Sequence, residues 1–181
     1  MSLWIIILII IVILFSLFIF ISLIYNKFQN HIIRINEVES KIDDTLRNKY
    51  DNLLKINNIV KEKIKTDKEI IDDIEKTKSD EKTSFEMHRL LKEAYNKLDF
   101  VRKQYDELKK DNEVKELFKD IDDMDESLDA YIKYYNEKIV NYNEYIRKFP
   151  YNIMGKILKL KEKLFFDNKD LSDDNIKDFK I

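Results

Sequence analysis

Cysteine is absent from the 181 residues of this chain, and glycine and proline occur only once each. The lack of cysteine excludes disulfide bonds and cysteine-ligated metal centres. One glycine cannot build a phosphate-binding loop, and so little glycine and proline leaves little material for tight turns. The only two histidines, His31 and His88, have no His-x-x-x-His spacing. No metal site and no cofactor are therefore predicted.

An excess of charge of one sign is also missing. The chain has 33 lysine and arginine residues against 35 aspartate and glutamate residues, a net charge of −2. Nothing in this balance argues for a nucleic-acid partner. Because 38% of all residues are charged, we expect the part outside any apolar segment to form long helices with solvated outer faces.

A long apolar run is present at the start of the chain. From Leu3 to Ile24 the only polar side chains are Ser16 and Ser22, and no residue is charged. A helix needs about 20 apolar residues to cross a hydrocarbon core. A cleaved signal peptide would need a basic start, a shorter apolar stretch and a small-residue cleavage site, none of which is seen. We predict an uncleaved transmembrane anchor over residues 1–25, in contact with membrane lipid.

The basic residues near this run predict which side the rest of the chain occupies. None precedes the run, whereas Lys27, Arg34 and Lys41 follow it. By the positive-inside rule, the soluble part is expected on the cytoplasmic side of the cell membrane.

Apolar residues recur three and four positions apart through most of the remaining chain, which predicts amphipathic helices. The first half of this stripe comprises Phe28, Ile32, Ile35, Val38, Ile42, Leu46, Leu53, Ile56, Val60 and Ile64. The second half comprises Met87, Leu91, Ala94, Leu98, Val101, Tyr105, Leu108, Val114, Leu117, Ile121, Met124, Leu128, Tyr131, Tyr135, Tyr142, Tyr145 and Phe149.

Local signals predict where these helices begin and end. The apolar-free stretch 76–82 reads as a loop, Thr83 and Glu86 form a capping box, Asp111 is an N-cap, and Pro150 ends the last long helix. Poor helix formers at 48–51 predict a break there. The resulting helices, near 26–48, 52–76, 84–110 and 112–149, predict an all-α fold: an antiparallel up-and-down four-helix bundle over residues 26–149. If the break near Asn48 is absent, three long helices remain.

Several motifs resemble those of one known family. They are Tyr25-Asn26, Ile42-Asp43 with Leu46-Arg47, Asp51 before Leu53, Tyr105 with Leu108-Lys109, Tyr135-Asn136, Tyr142-Asn143, and the closing motif around Phe149-Pro150-Tyr151-Asn152. In these the chain resembles LemA family proteins, with departures at Leu54 and Asp106, where that family usually has proline. The resemblance implies an N-terminal membrane helix before an up-and-down helical bundle, and it implies no enzymatic activity.

Tyrosine and asparagine pairs mark one face of the last long helix, because they lie seven residues apart. This face comprises Tyr131, Tyr135, Asn136, Tyr142, Asn143 and Tyr145. Two interpretations are open: a groove that binds a partner, or a core stripe whose hydroxyl groups are satisfied internally. The acidic run at 120–129 lacks the glycine of a calcium-binding loop and is expected to be a solvated helix face.

After Pro150 the chain mixes apolar and basic residues. Residues 150–166 predict a short amphipathic helix, followed by a polar, disordered tail at 167–181. The helix either lies on the membrane surface or folds over the end of the bundle. Its candidate surface-binding residues are Lys156, Lys159, Lys163, Phe165 and Phe166.

Together these features predict a single-pass membrane protein with a non-catalytic helical bundle, which acts as a scaffold or interaction module for a protein partner not identified by the sequence. No nucleophile with an activating base and no small-molecule site is evident. The alternative is a membrane-tethered coiled-coil oligomer, such as a stalk or a SNARE-like assembler.

Overall fold

The computed structural model describes residues 3–64 and 82–167. Every regular element in those residues is an α-helix, which confirms the predicted all-α class. The helices there are α1 (Leu3–Ile64), α2 (Ser84–Gln104), α3 (Asp106–Lys110), α4 (Asn112–Arg147) and α5 (Tyr151–Ile157). Two predicted segments lie almost wholly outside the described residues. They are the loop, except for residue 82, and the polar tail, except for residue 167.

The apolar run forms the first third of α1, a single helix of 62 residues. By length and composition this helix can cross a membrane. The Ser22 hydroxyl donates to the Phe18 carbonyl oxygen at 2.9 Å, so this polar group is satisfied within the helix as a lipid environment requires. The apolar run continues into the following helical residues without interruption.

The chain divides into two compact units. The described part of unit 1 contains residues 3–37 and 136–165, and that of unit 2 contains residues 38–64, 82–135 and 166–167. Both α1 and α4 contribute to each unit.

All but one of the core residues of unit 2 belong to the predicted apolar stripes; the exception is Phe118, whose predicted neighbour Leu117 is only partly buried. The core residues are at most 3% exposed: Ile42, Leu46, Leu53, Ile56, Val60, Leu91, Ala94, Leu98, Leu108, Val114, Phe118, Ile121 and Leu128. Burying one large apolar side chain contributes roughly 1.5–3 kcal/mol relative to leaving it exposed. The stripes therefore find their partners within the chain.

Contacts along unit 2 show that α4 runs antiparallel to α1. The successive contacts pair Lys41 with Tyr131, Lys49 with Asp125, and Lys63 with Asp111. α4 also runs antiparallel to α2, whose Tyr95 and Arg102 contact Asp122 and Phe118 respectively. The complete up-and-down topology of the bundle stays a prediction, because residues 65–81 lie outside the described part.

The predicted break near Asn48 is wrong, because α1 continues through it to Ile64. Between Leu46 and Leu53 the stripe lacks an apolar residue, but the helix itself continues. Lys49 occupies the stripe position between them and is 0% exposed. Its ammonium pairs with Asp125, so a charged residue takes a core position without breaking the helix. The alternative with an unbroken first helix applies.

A second difference lies in the helix predicted at 84–110, which is interrupted at Tyr105. The backbone there is extended, with φ −114° and ψ 118°. A continuous helix would place Tyr105 and Leu108 on one face. Instead Tyr105 is 43% exposed and Leu108 is fully buried. The acidic first turn of α3, Asp106 and Glu107, favours a new helix start at this point.

The predicted helix ends are confirmed at three other positions. The Thr83 hydroxyl accepts from the Glu86 N–H at 3.3 Å, and the Glu86 carboxylate accepts from the Thr83 N–H at 3.0 Å. The Asp111 carboxylate accepts from the Val114 N–H at 3.0 Å. α4 ends at Arg147, just before Pro150.

The helix predicted over 150–166 is wrong beyond Ile157. The Lys159 N–H donates to the Lys156 carbonyl and the Leu160 N–H to the Gly155 carbonyl, at 3.2 and 2.9 Å. These two bonds form a Schellman motif, with Lys159 in the left-handed conformation at φ 54°. From Leu160 to Phe165 the backbone has no regular structure.

Candidate functional site

Within unit 1, the exposure of α1 changes abruptly at the end of the apolar run. Side chains from Leu3 to Ile21 are exposed, and Leu23 is still 64% exposed. Ile24 is 5% exposed and Phe28 is 1% exposed. Protein therefore covers one side of α1 from the last residue of the run onward, whereas the run itself is bare. An exposed apolar surface of this length is typical of a helix that lies in lipid.

Aromatic and basic side chains gather just beyond this edge. The Tyr145 ring stacks on Tyr151 with centroids 3.8 Å apart, and meets the edge of Phe28 at 5.0 Å. The Lys27 ammonium lies 5.5 Å from the Tyr145 centroid and 5.9 Å from that of Tyr151, within range of cation–π attraction. His31 completes the group, with its ring 5.2 Å from Tyr145. We call these five residues the aromatic–basic cluster.

The cluster is electrostatically unusual because it is partly desolvated. Burial raises the pKa of the Tyr145 hydroxyl, and the neighbouring Tyr151 adds to this effect. Burial also lowers the pKa of His31, and Lys27 and Arg34 lower it further by repulsion. Both groups are therefore favoured in their uncharged forms at neutral pH, which suits packing rather than proton transfer.

α5 packs against the cluster through its single glycine. A Cβ atom built on Gly155 would lie 3.6 Å from Ile146 Cγ2 and 4.0 Å from Phe28 Cζ. The opposite face of this helix is apolar too: Ile153 and Ile157 are 53% and 66% exposed. The preceding Phe149 is 78% exposed. One face of α5 thus packs on protein, and the opposite face exposes two isoleucine side chains to the surroundings.

Side chains of α4 hold the segment that follows α5. The Asn143 amide donates to the Lys163 carbonyl oxygen at 2.8 Å and accepts from the Lys163 N–H at 2.9 Å. The Tyr142 hydroxyl donates to the Lys161 carbonyl oxygen at 3.2 Å. Arg147 makes a two-point ion pair with Glu162, at 2.8 and 2.6 Å. Asn143 is 1% exposed, so its amide is fully committed to this backbone.

The tyrosine and asparagine face predicted on the last long helix is divided between the two units. Tyr142, Asn143 and Tyr145 belong to unit 1, where they hold the C-terminal segment and the cluster. Tyr131 and Tyr135 belong to unit 2 and pack against its core. Burial raises the pKa of Tyr135 to about 12, with Glu39 adding to the shift. The remaining member, Asn136, is half-buried in unit 1.

The residues predicted for a membrane surface are likewise divided between the two units. Lys156 and Lys159 are exposed, and Lys163 is half-buried beside Asn143. Phe165 is half-buried in unit 1. The Phe166 ring packs in unit 2, with its centroid 5.9 Å from Phe85 and 6.1 Å from His88. Phe166 is thus occupied by protein contacts.

Unit 2 holds a buried charge that the sequence did not reveal. The Lys49 ammonium pairs with Asp125 and lies 5.8 Å from the centroid of Tyr95, whose hydroxyl donates to Asp122 at 2.6 Å. Two members of the acidic run thus satisfy core groups rather than only facing solvent. Two others, Asp120 and Asp123, line a shallow groove of about 310 Å³ with Asn48 and Tyr131. The one available signal was spacing, since Lys49 falls on the stripe between Leu46 and Leu53.

Comparison with known proteins decides the family. The family model described as LemA family matches residues 38–177, most of the chain. The chain belongs to the LemA family. No curated protein and no solved structure matches it.

The LemA match starts at Val38, which is also the first residue of unit 2. It includes the closing motif, whose Phe149 and Pro150 lie in the turn between α4 and α5 and whose Asn152 lies in the first turn of α5. The apolar run and the α1 residues of the aromatic–basic cluster precede the matched region. Within residues 3–64 and 82–167 of this LemA chain, no three histidine, aspartate or glutamate side chains are grouped so as to hold a metal.

Proposed function

We propose that this LemA family protein is a single-pass membrane protein that presents its helical domain to a protein partner at the membrane, as a scaffold or interaction module rather than as an enzyme. One observation carries the proposal: α1 is bare along the apolar run and covered from Ile24 onward. A soluble protein would bury so large an apolar surface. The anchor and the domain share one continuous helix, which couples the domain mechanically to the bilayer.

The burial of the predicted stripes within unit 2 supports a self-contained domain over a tethered coiled coil. A stalk or SNARE-like assembler would leave its apolar stripe for other chains to cover. Here Leu53, Ile56 and Val60 are all 0% exposed within one chain. Sedimentation of the detergent-solubilised protein tests the point: we expect a helical monomer, and a dimer that unfolds on dilution would favour the coiled-coil assembler.

Charge substitutions in the apolar run test the anchor itself. Ile10→Lys together with Leu14→Lys should abolish membrane retention on alkaline extraction, because each lysine at a helix centre costs about 2.5–3.5 kcal/mol of insertion. The matched control is Ile33→Lys, at an apolar residue of the same helix that is 50% exposed and lies outside the run. Equal extraction of all three proteins would contradict a membrane-spanning role.

The basic residues after the run support a cytoplasmic position for the domain. Protease treatment of intact cells tests this. The domain should be protected until the cells are lysed, and degradation before lysis would place it on the other side.

A further inference from the structure

We propose that the outer face of α5, with Phe149 before it, is a second lipid contact that lies on the anionic surface of the same membrane in which α1 is anchored. We call Phe149, Ile153 and Ile157, with Lys156, the α5 outer face. The inference rests on the membrane anchoring proposed above and extends it from one contact to two.

The position of α5 beside α1 is the first argument. Gly155 faces Phe28, and within the aromatic–basic cluster the Tyr151 ring stacks on Tyr145 and lies 5.9 Å from the Lys27 ammonium. Phe28 lies four residues beyond the end of the apolar run, about 6 Å along the helix axis. Because the headgroup region is several ångströms thick on each side of the hydrocarbon core, a helix seated at this height lies within it.

The chemistry of the exposed side chains is the second argument. Ile153 and Ile157 stand on the side of α5 opposite Gly155, since each is about 160° from it around the helix. These side chains are 53% and 66% exposed, so the described residues of unit 1 leave much of their surface uncovered. Interfacial helices have this arrangement, in which apolar side chains enter the boundary between headgroups and acyl chains.

Local charge is the third argument, and it selects anionic lipid. Residues 147–163 contain six basic residues and one acidic residue, Glu162, in a chain whose net charge is −2. Glu162 is already paired with Arg147. Lys156, Lys159 and Lys161 are exposed, and clustered lysines beside an apolar face are attracted to anionic headgroups.

The absence of cysteine allows a clean experiment on the full chain. Single variants Ile157→Cys, Leu14→Cys and Phe100→Cys are each labelled with a nitroxide and reconstituted in bilayers of equal parts phosphatidylcholine and phosphatidylglycerol. Accessibility to oxygen and to a water-soluble relaxation agent then measures the depth of each label. Phe100 is the matched control, an exposed apolar residue of unit 2 at 64% exposure.

We expect the label at 157 to lie at the headgroup boundary, the label at 14 deep in the hydrocarbon, and the label at 100 in water. A label at 157 that is as water-accessible as the one at 100, with the label at 14 still deep, would overturn this inference alone. A water-accessible label at 14 would overturn the anchoring on which it rests.

Lipid composition and charge variants test the preference for anionic surfaces. Lys156→Glu with Lys159→Glu and Lys161→Glu should make the label at 157 several-fold more water-accessible, as should a bilayer of phosphatidylcholine alone. The matched control carries three exposed lysines of unit 2 changed to glutamate, Lys115, Lys119 and Lys133, and should leave the label at 157 unchanged. Equal immersion in every case would refute the anionic preference. Close approach of two labels at 157 in spin-dilution measurements would instead show a second copy on this face and overturn the proposal.

Discussion

The buried pair of Lys49 and Asp125 gives the sharpest test of how unit 2 is held together, because its two members are buried unequally. The Lys49 side chain is 0% exposed and the Asp125 side chain is 36% exposed. Removing the carboxylate leaves a charged ammonium in the core, beside the Tyr95 ring and without its ion-pair partner. Removing the ammonium leaves a carboxylate that water already reaches.

The expected effects are therefore asymmetric. Removing the partner of a buried charge typically lowers the free energy of unfolding by about 3–5 kcal/mol. The partial exposure of Asp125 weakens the pair, so we expect Asp125→Ala to cost about 2–3 kcal/mol. Lys49→Met places an apolar side chain of similar length on the stripe between Leu46 and Leu53. Its cost should be below about 1 kcal/mol, because apolar replacements of buried ion pairs are often neutral or stabilising.

Urea denaturation followed by circular dichroism measures the difference. With a slope of roughly 2 kcal/mol per molar urea, Asp125→Ala should lower the midpoint by about 1–1.5 M. Lys49→Met should shift it by less than about 0.5 M. The double variant should resemble Lys49→Met, because no buried charge then remains to be compensated. A larger loss for Lys49→Met than for Asp125→Ala would refute the reasoning.

Three further predictions concern unit 1 and the pH dependence of the fold. Gly155→Ala should stabilise the protein by roughly 0.5–1 kcal/mol in the same urea assay, because alanine favours a helix over glycine and the added Cβ makes only ordinary van der Waals contacts. A loss of stability would contradict this reading of the space around Gly155. Asn143→Ala should cost about 1–3 kcal/mol locally and speed hydrogen exchange of the Lys163 amide, because a buried backbone group loses its partner; unchanged exchange would contradict the role of Asn143. Both histidine pKa values are lowered in the folded state, chiefly by burial. The unfolded state therefore binds protons first, so stability is complete above about pH 6.5 and falls as the pH drops below it. His31→Gln with His88→Gln should flatten this dependence in urea midpoints measured across that range, and a dependence of opposite sign would be contradictory.

Features set by local sequence were predictable. The apolar run, the capping box at Thr83 and Glu86, the N-cap at Asp111 and the stop at Pro150 depend on residues within one or two turns. The stripes were predictable too, because their spacing alone shows which residues share a face.

The features that could not be predicted depend on partners far along the chain. Asp125 is 76 residues from Lys49 in sequence, so composition made Lys49 look like an interruption when it is a paired core residue. Asn143 binds backbone 20 residues later, and an asparagine on a helix gives no sign of such a target. α5 ends with Lys159 in a left-handed conformation, a position where glycine is the usual signal.

A depth profile along α1 tests the central claim most directly. Nitroxide labels at Leu14, Leu23 and Ile33 occupy positions that are 59%, 64% and 50% exposed on the protein itself. Differences in oxygen accessibility between them therefore report on the surrounding solvent rather than on burial by protein. The membrane-anchored account predicts hydrocarbon at Leu14, the lipid boundary at Leu23 and water at Ile33. The same aqueous environment at all three positions would contradict it.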